Sequence, residues 1–267
     1  MVIMKQKVGI IGYGFVGKAV CNSFTNKNDI DLYILDPWYP DISTSIEEIK
    51  KCEAVFICVP TNQLPNGRCD TGPLFSVIEQ LQGYNGIVIS KSTAPPNVYK
   101  SMQDTTDLML VHAPEFLTAK NALHDYLHPV KVIIGAQNQE EANRAAHFIL
   151  PYIIPKSVEY CSIEEAAMFK YLANTMLAMK VIINNEYAEL CEKLGINWSA
   201  VSKIAETDIR LGVTHWQVPG PDGKHGFGGA CFPKDTSALV DVAASVGVEM
   251  SMLTNAIRKN SNLRDDI

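Results

Sequence analysis

Three glycines, a cysteine, a proline, a lysine and an aspartate crowd into Gly226-Phe227-Gly228-Gly229-Ala230-Cys231-Phe232-Pro233-Lys234-Asp235. Glycine lets a backbone run close against a ligand and take φ > 0, and Pro233 suits the first turn of a helix. Cys231 then stands near a helix N-terminus with Lys234 one turn on, and both favour the thiolate over the thiol. The plain alternative is a glycine loop whose cysteine is a small buried hydrophobe. With Cys, Lys and Asp grouped so tightly, the segment reads as a reactive site, where Gly228 and Gly229 bring backbone close to substrate.

A second cluster of glycines opens the chain. Lys7 to Ile11 is an apolar run that stops at Gly12-Tyr13-Gly14-Phe15-Val16-Gly17, a helical stretch follows to Phe24, and the strand-like Asp31–Leu35 ends at Asp36. In a strand–turn–helix–strand context this is a dinucleotide fingerprint: the turn admits pyrophosphate to the helix N-terminus and Asp36 bonds the ribose hydroxyls. The residues after Asp36 are Pro37-Trp38-Tyr39, with no base to meet a 2′-phosphate, so the expected cofactor is NAD rather than NADP.

The elements that must hold these residues alternate. Ala54–Val59 reads as a buried strand ending at Pro60-Thr61, a cofactor-facing loop in a parallel sheet. Leu74–Leu81 is a helix. Gly86–Ser90 is a strand leading to Lys91-Ser92-Thr93-Ala94-Pro95, Leu108–Val111 leads to His112-Ala113-Pro114-Glu115-Phe116-Leu117, and Val130–Ile134 is a further strand. Apolar strands ending in polar or Gly/Pro residues predict an α/β, Rossmann-type doubly wound parallel sheet with its site at the strand C-termini. Glu115 is either a solvated loop carboxylate or, just past a strand end, part of that site.

Ser162-Ile163-Glu164-Glu165 is a capping box that opens a helix running to Gly195, apolar nearly all round and therefore expected to be buried. Lys170 and Asn174 share one face of it. A buried lysine needs a partner; beside an asparagine on an apolar helix, substrate oxygens or a structural salt bridge serve. The expected organisation is a NAD-binding domain over residues 1–160 and a smaller all-helical domain over 161–267, carrying the Cys231 motif.

The 267 residues are 47% hydrophobic and 19% charged, ordinary for a globular protein. A net charge of −6 without basic runs excludes general nucleic-acid binding, so an anionic substrate needs local cations. Lys224 and His225, in the loop before the cysteine motif, are candidates. The seven cysteines are odd in number and lack metal-ligand spacing. With no leader-like segment and no 18-residue apolar run expected, they read as reduced thiols of a cytoplasmic protein with no metal and no membrane.

Gly12-x-Gly14-x-x-Gly17, Lys91-Ser92-Thr93-Ala94-Pro95, Pro114-Glu115-Phe116-Leu117, Lys170-x-x-x-Asn174, Asp208-Ile209-Arg210-Leu211-Gly212 and Gly226–Asp235 occur here in the order of a known family. The chain resembles the UDP-glucose/GDP-mannose dehydrogenases, which oxidise a sugar-nucleotide alcohol to an acid with two NAD. The resemblance implies that Cys231 is a nucleophile passing through a thiohemiacetal and a thioester. It makes Lys170 the cation at developing oxyanions, with Asn174 and a water beside it, Asp235 the carboxylate moving protons through that water, and Glu115 the one assisting hydrolysis. Thr93 resembles a residue near the nicotinamide. Cofactor contacts are expected from Gly12, Tyr13, Gly14, Phe15, Val16, Gly17, Asp36, Val59, Pro60, Thr61, Ser92, Thr93 and Lys234. Substrate contacts are expected from Glu115, Phe116, Leu117, Lys170, Asn174, Arg210, Lys224, Gly228, Gly229 and Cys231.

Arg210 matches an arginine that in the family reaches into a neighbouring subunit's site, which implies a homodimer. Two departures stand out. Thr118-Ala119 replaces a frequent Ala-Glu, removing one cofactor-side carboxylate, and the family's later UDP-gripping domain has no counterpart in these residues. Two other readings compete: a single-oxidation hydroxyacid dehydrogenase of the 6-phosphogluconate type, which does not need Cys231, and a non-catalytic NAD or sugar-nucleotide binder.

Overall fold

The computed structural model describes residues 5–25, 27–264 and 266. The chain divides into two compact units, residues 1–61 with 70–170, and residues 62–69 with 171–267. This division differs from a single cut at 160/161. The helix expected to open the second domain starts in the first unit, and a short segment from the first half belongs to the second.

In the first unit, alternating apolar runs and glycine or proline turns give β1 (Gln6–Ile11), α1 (Phe15–Phe24), β2 (Ile30–Leu35), α2 (Ile46–Ile49), β3 (Ala54–Ile57), α3 (Gly72–Gln80), β4 (Ile87–Ser90), α4 (Pro96–Thr105) and β5 (Met109–His112). A short 3-10 turn, α5 (Ala122–Leu127), β6 (Val132–Gly135), α6 (Gln139–Ile149) and β7 (Val158–Cys161) follow. The seven strands form one sheet in the order β2-β1-β3-β4-β5-β6-β7. β1 to β5 pair in parallel, with Ile11 beside Leu35 and Ile57 beside Ser90, so these strands end together along one edge.

The sheet is not parallel throughout. β6 meets β5 in antiparallel sense at His112 and Gly135, and β7 follows β6. The reversal is invisible to hydrophobic patterning, because a strand buried on both faces reads alike in either direction. Each face carries its own core. One gathers Val8, Phe24, Phe56, Ile89, Tyr126 and Phe148; the other gathers Ile57, Leu74, Val88, Tyr99, Leu110 and Ile163.

α7 (Ile163–Lys193) begins in the first unit and continues into the second. Its start is the expected capping box: Glu165 N donates to Ser162 Oγ at 3.2 Å, and Ser162 N donates to Glu165 Oε2 at 2.8 Å. It stops two residues short of Gly195, where Gly195 N bonds Glu192 O at 3.1 Å and Ile196 N bonds Cys191 O at 2.8 Å, the paired bonds of a Schellman end. It is not buried all round, as its apolar content led one to expect. Leu172, Met176, Ile183, Tyr187 and Leu190 are each about half exposed along one stripe. By length and composition alone it could cross a membrane, contrary to the expectation of no such run.

The rest of the second unit is α8 (Trp198–Ala205), α9 (Phe232–Ser245) and α10 (Ser251–Leu263). α10 starts three residues later than its apolar pattern begins at Val248. Tyr171, Ala238, Leu239 and Leu253 form one small core, and Ala178, Ile182, Phe227 and Ala256 another. The segment 62–69 is fastened by Arg68 to Asp241 of α9 at 3.3 Å.

Candidate active site

At the β1–α1 turn, Gly12 has φ +93° and lies so close to the end of β3 that a Cβ there would come within 2.6 Å of the Cys58 carbonyl oxygen. Only glycine fits this crossing. Gly14, in contrast, faces open space, and as the N-cap of α1 it offers no side chain to the first helical amides. Those amides are therefore free to meet an anion. Asp36, just past the end of β2 and buried, accepts from Tyr13 N at 2.6 Å and from Trp38 N at 2.8 Å, which ties the glycine turn to the end of β2. The residues present fit a bound dinucleotide. Sequence order hid one base near this place: Lys18 Nζ donates to Tyr39 Oη at 2.8 Å and lies over the Tyr39 ring.

The parallel strands end at a second cluster. Ser92 Oγ donates to Val59 O at 2.8 Å and Thr61 Oγ1 to Thr93 O at 2.6 Å, so Val59, Thr61, Ser92 and Thr93 form one stitched rim, with Pro60 exposed beside them. Lys91 and Glu115 make a nearly dry ion pair at 3.3 Å. Lys170 Nζ donates to the Glu115 carbonyl at 2.5 Å and sits 4.7 Å from the centre of the Phe116 ring. Leu117 packs into the core beneath. Lys91 is a site residue that sequence reasoning passed over, although its motif was recognised. Only the tertiary pairing with Glu115 reveals it.

His112, fully buried at the end of β5, bonds Ser90 O through Nδ1 at 3.0 Å and stacks on Tyr99. Burial pushes its imidazole down to about 3, with Lys91 and Lys170 lowering it further against the Ser90 bond. Burial likewise pushes the Cys52 and Cys58 thiols up to about 12, so neither supplies a thiolate at neutral pH. Cys231 is the exposed cysteine; Cys21, Cys52 and Cys191 are buried and Cys58, Cys69 and Cys161 half-buried.

In the second unit Cys231 is the N-cap of α9, and its carbonyl accepts from Asp235 N at 2.8 Å. Asp235 is 1% exposed, and its two oxygens are taken separately: Asn174 Nδ2 of α7 donates to Oδ2 at 2.5 Å, and Lys234 Nζ pairs with Oδ1. Lys234 thus serves the aspartate. Lys170 stands one turn before Asn174 on the same helix, within the first unit.

Arg210 is exposed and forks onto Asp208, with Nε 2.9 Å from Oδ1 and Nη2 2.5 Å from Oδ2. Its loop is pinned by a residue the sequence did not single out. Lys180 of α7 donates to the carbonyls of Leu211, Gly212 and Thr214 and lies 3.9 Å from the Trp216 ring centre. Lys224 and His225, expected as phosphate contacts, have partners within the chain: Lys224 pairs with Asp266 at 2.7 Å and His225 Nδ1 meets Asn185 Oδ1 at 2.9 Å.

A cavity of about 540 Å³ in this unit is lined by His215, Trp216, Gly226, Phe227, Gly228 and Arg264, among others. A larger one of about 850 Å³ lies at the opposite, N-terminal ends of β1, β3 and β4, around Gln6, Glu53 and Arg144. Ligands of open α/β sheets bind at the carboxyl ends of the strands, so the larger cavity is not where a dinucleotide is expected.

Residues 40–151 match the NAD binding domain of the UDP-glucose/GDP-mannose dehydrogenase family, and residues 164–262 match its central domain. A UDP-glucose 6-dehydrogenase of Rickettsia bellii is 32% identical over 224 residues, 80% of this chain and 50% of that protein. The chain thus spans about half the length of the curated relatives it matches. Among solved structures, a UDP-glucose dehydrogenase of the hyperthermophilic archaeon Pyrobaculum islandicum superposes with a TM-score of 0.81 at 24% identity, covering 98% of this chain and 69% of that one. The 3-hydroxyisobutyrate dehydrogenase of Mycobacterium tuberculosis shares the fold at a TM-score of 0.74 and 16% identity, over 98% of this chain and 95% of its own. With both domain descriptions matched in order along the chain, this protein belongs to the UDP-glucose/GDP-mannose dehydrogenase family.

Proposed function

We propose that the chain carries the NAD-dependent oxidation of a sugar nucleotide's primary alcohol to a carboxylate, in the manner of a UDP-glucose 6-dehydrogenase. The observation that carries this reading is the exposed Cys231 at the start of α9, one turn from a buried Asp235 held by Asn174 and Lys234. Bound NAD supplies the hydride acceptor. The first oxidation turns the alcohol into an aldehyde; the Cys231 sulfur adds to its carbon to give a thiohemiacetal. Loss of a second hydride, to a second NAD that replaces the first NADH, leaves a thioester, and water releases the acid and the thiol. Asp235 is the nearest buried carboxylate to take and return protons, Lys170 the cation for the oxyanion, and Glu115, paired with Lys91, the carboxylate for hydrolysis.

The substrate reading rests on the glycine-walled cavity, where backbone can approach a sugar closely. The test is NADH formation over a panel of UDP- and GDP-sugars, with NAD alone as the blank. Two NADH and an acid per alcohol is the expected outcome. One NADH and a carbonyl product favours the hydroxyacid reading, and NAD binding with no NADH favours a binder.

The same reading makes the protein a cytoplasmic homodimer with Arg210 acting across the interface. Its support is the exposed apolar stripe of α7 together with the exposed Ile204, Ile209 and Val213 on either side of Arg210 in the chain, apolar surface of the kind a second copy would cover. Sedimentation at micromolar concentration should show a dimer, and Met176→Glu should convert it to monomer. A monomeric parent sinks the assignment of Arg210.

A further inference from the structure

The glycine segment before Cys231 is fixed by the last helix. Asn260 of α10 is fully buried, and its amide brackets one residue: Phe227 N donates to Oδ1 at 2.7 Å and Nδ2 donates to Phe227 O at 2.9 Å. From the other side Asn185 of α7 accepts from Gly226 N at 3.2 Å. Arg264, one turn beyond Asn260, lays its guanidinium against Gly228, where a Cβ would come within 2.6 Å of Cζ. That guanidinium is itself locked, 2.8 Å from Asp222 and 2.9 Å from Asp266, with its side chain 4% exposed. Two carboxylates neutralise it, so it serves as a brace rather than as a free cation for substrate phosphate.

The braced backbone matters because of what it lines. Gly226, Phe227 and Gly228 form a wall of the 540 Å³ cavity, and three residues later the chain enters α9 at Cys231. Phe227 also meets Phe232, the first residue of α9, edge to face at 6.3 Å between ring centres. We infer that Asn260 and Arg264 are positioning residues: through Phe227 and Gly228 they set the cavity wall against which the sugar nucleotide lies. This rests on the sugar-nucleotide reading above.

Two measurements test it, one of them independent of turnover. In hydrogen exchange, Asn260→Ala leaves the Phe227 amide and carbonyl unpaired, and the peptide spanning residues 219–230 should exchange about tenfold faster or more while the sheet of the first unit is unchanged. In steady-state kinetics, Asn260→Ala and Arg264→Ala should raise KM for the sugar nucleotide by roughly tenfold and leave KM for NAD unchanged. Arg264→Lys should recover little, because a lysine lacks the flat fork that spans Asp222 and Asp266. Gly228→Ala supplies a variant that does not open the core. Alone it should raise the same KM, and combined with Arg264→Ala the two effects should be less than additive, since the clash is then relieved. Unchanged loop exchange in folded Asn260→Ala, or KM values for both substrates rising together, overturns the inference. A parent that makes no NADH sinks the function reading and leaves the exchange measurement to decide this one.

Discussion

Asn174, in the middle of α7, donates its amide to Asp235 of α9 at 2.5 Å, joining two helices whose residues lie far apart in sequence. The bond fixes a carboxylate 1% exposed one turn after Cys231 and leaves its second oxygen to Lys234. Asp235→Asn removes the base and turns one of its two acceptors into a donor facing Asn174 or Lys234. NADH formation should fall by about a hundredfold or more, with a lower melting temperature beside it. Asn174→Leu strips a donor from a buried acceptor and should cost about 1–3 kcal/mol in urea unfolding. If Asp235→Asn turns over at the parent rate, the aspartate only packs.

Cys231→Ser should behave differently in kind. A serine oxygen is a poorer nucleophile than a thiolate and its ester a poorer acyl donor, so the reaction should stop after one NADH or as an adduct at position 231 visible by mass spectrometry. Lys170→Ala should instead slow every turnover, by about a hundredfold for the roughly 3 kcal/mol a preorganised charge contributes at an oxyanion. Full two-step turnover by Cys231→Ser would return the case to a single-oxidation enzyme.

Asp36, expected to bond the ribose hydroxyls of NAD, also holds Tyr13 N. Asp36→Ala should therefore weaken NAD binding and narrow its advantage over NADP, as read by titration calorimetry. Lys18, engaged with Tyr39 in the parent, is the nearby base that a 2′-phosphate could draw on. Equal affinity of the parent for both dinucleotides would remove Asp36 from the specificity role.

His112 gives stability a pH dependence. An unfolded imidazole takes a proton near 6.5, the buried one not until about 3. Between those values the unfolded state binds more protons, so stability rises with pH by up to about 1.4 kcal/mol per unit. The contribution is complete above about 6.5 and drains away as pH falls toward 3. Between pH 6.5 and 5, before most carboxylates titrate, the parent should lose melting temperature more steeply than His112→Gln. Parallel slopes would mean the ring is solvated.

What could be read in the chain beforehand was what is local. The Gly12–Gly17 turn, the Ser162 capping box and the Schellman turn at Gly195 that follows α7 depend on neighbours within a few residues, so residue order discloses them. The Lys91–Glu115 pair, the Lys180 clamp on the Arg210 loop and the Asn260 bracket on Phe227 join residues far apart, and no spacing rule reaches them. α7 misled for a related reason. A helix apolar on nearly every side can be covered by its own chain or by another, and composition cannot tell which. The reversal at β6 was equally silent, since burial on both faces erases strand direction.

Residues 62–69 belong to the second unit yet precede α3. They leave the ribosome well before α9, so Arg68 must wait for Asp241 while the first unit is already able to fold. No single cut in the gene separates the two units. A fragment beginning at Tyr171 lacks the segment on which Arg68 sits, and a fragment ending at Lys170 carries that segment with nothing to hold it.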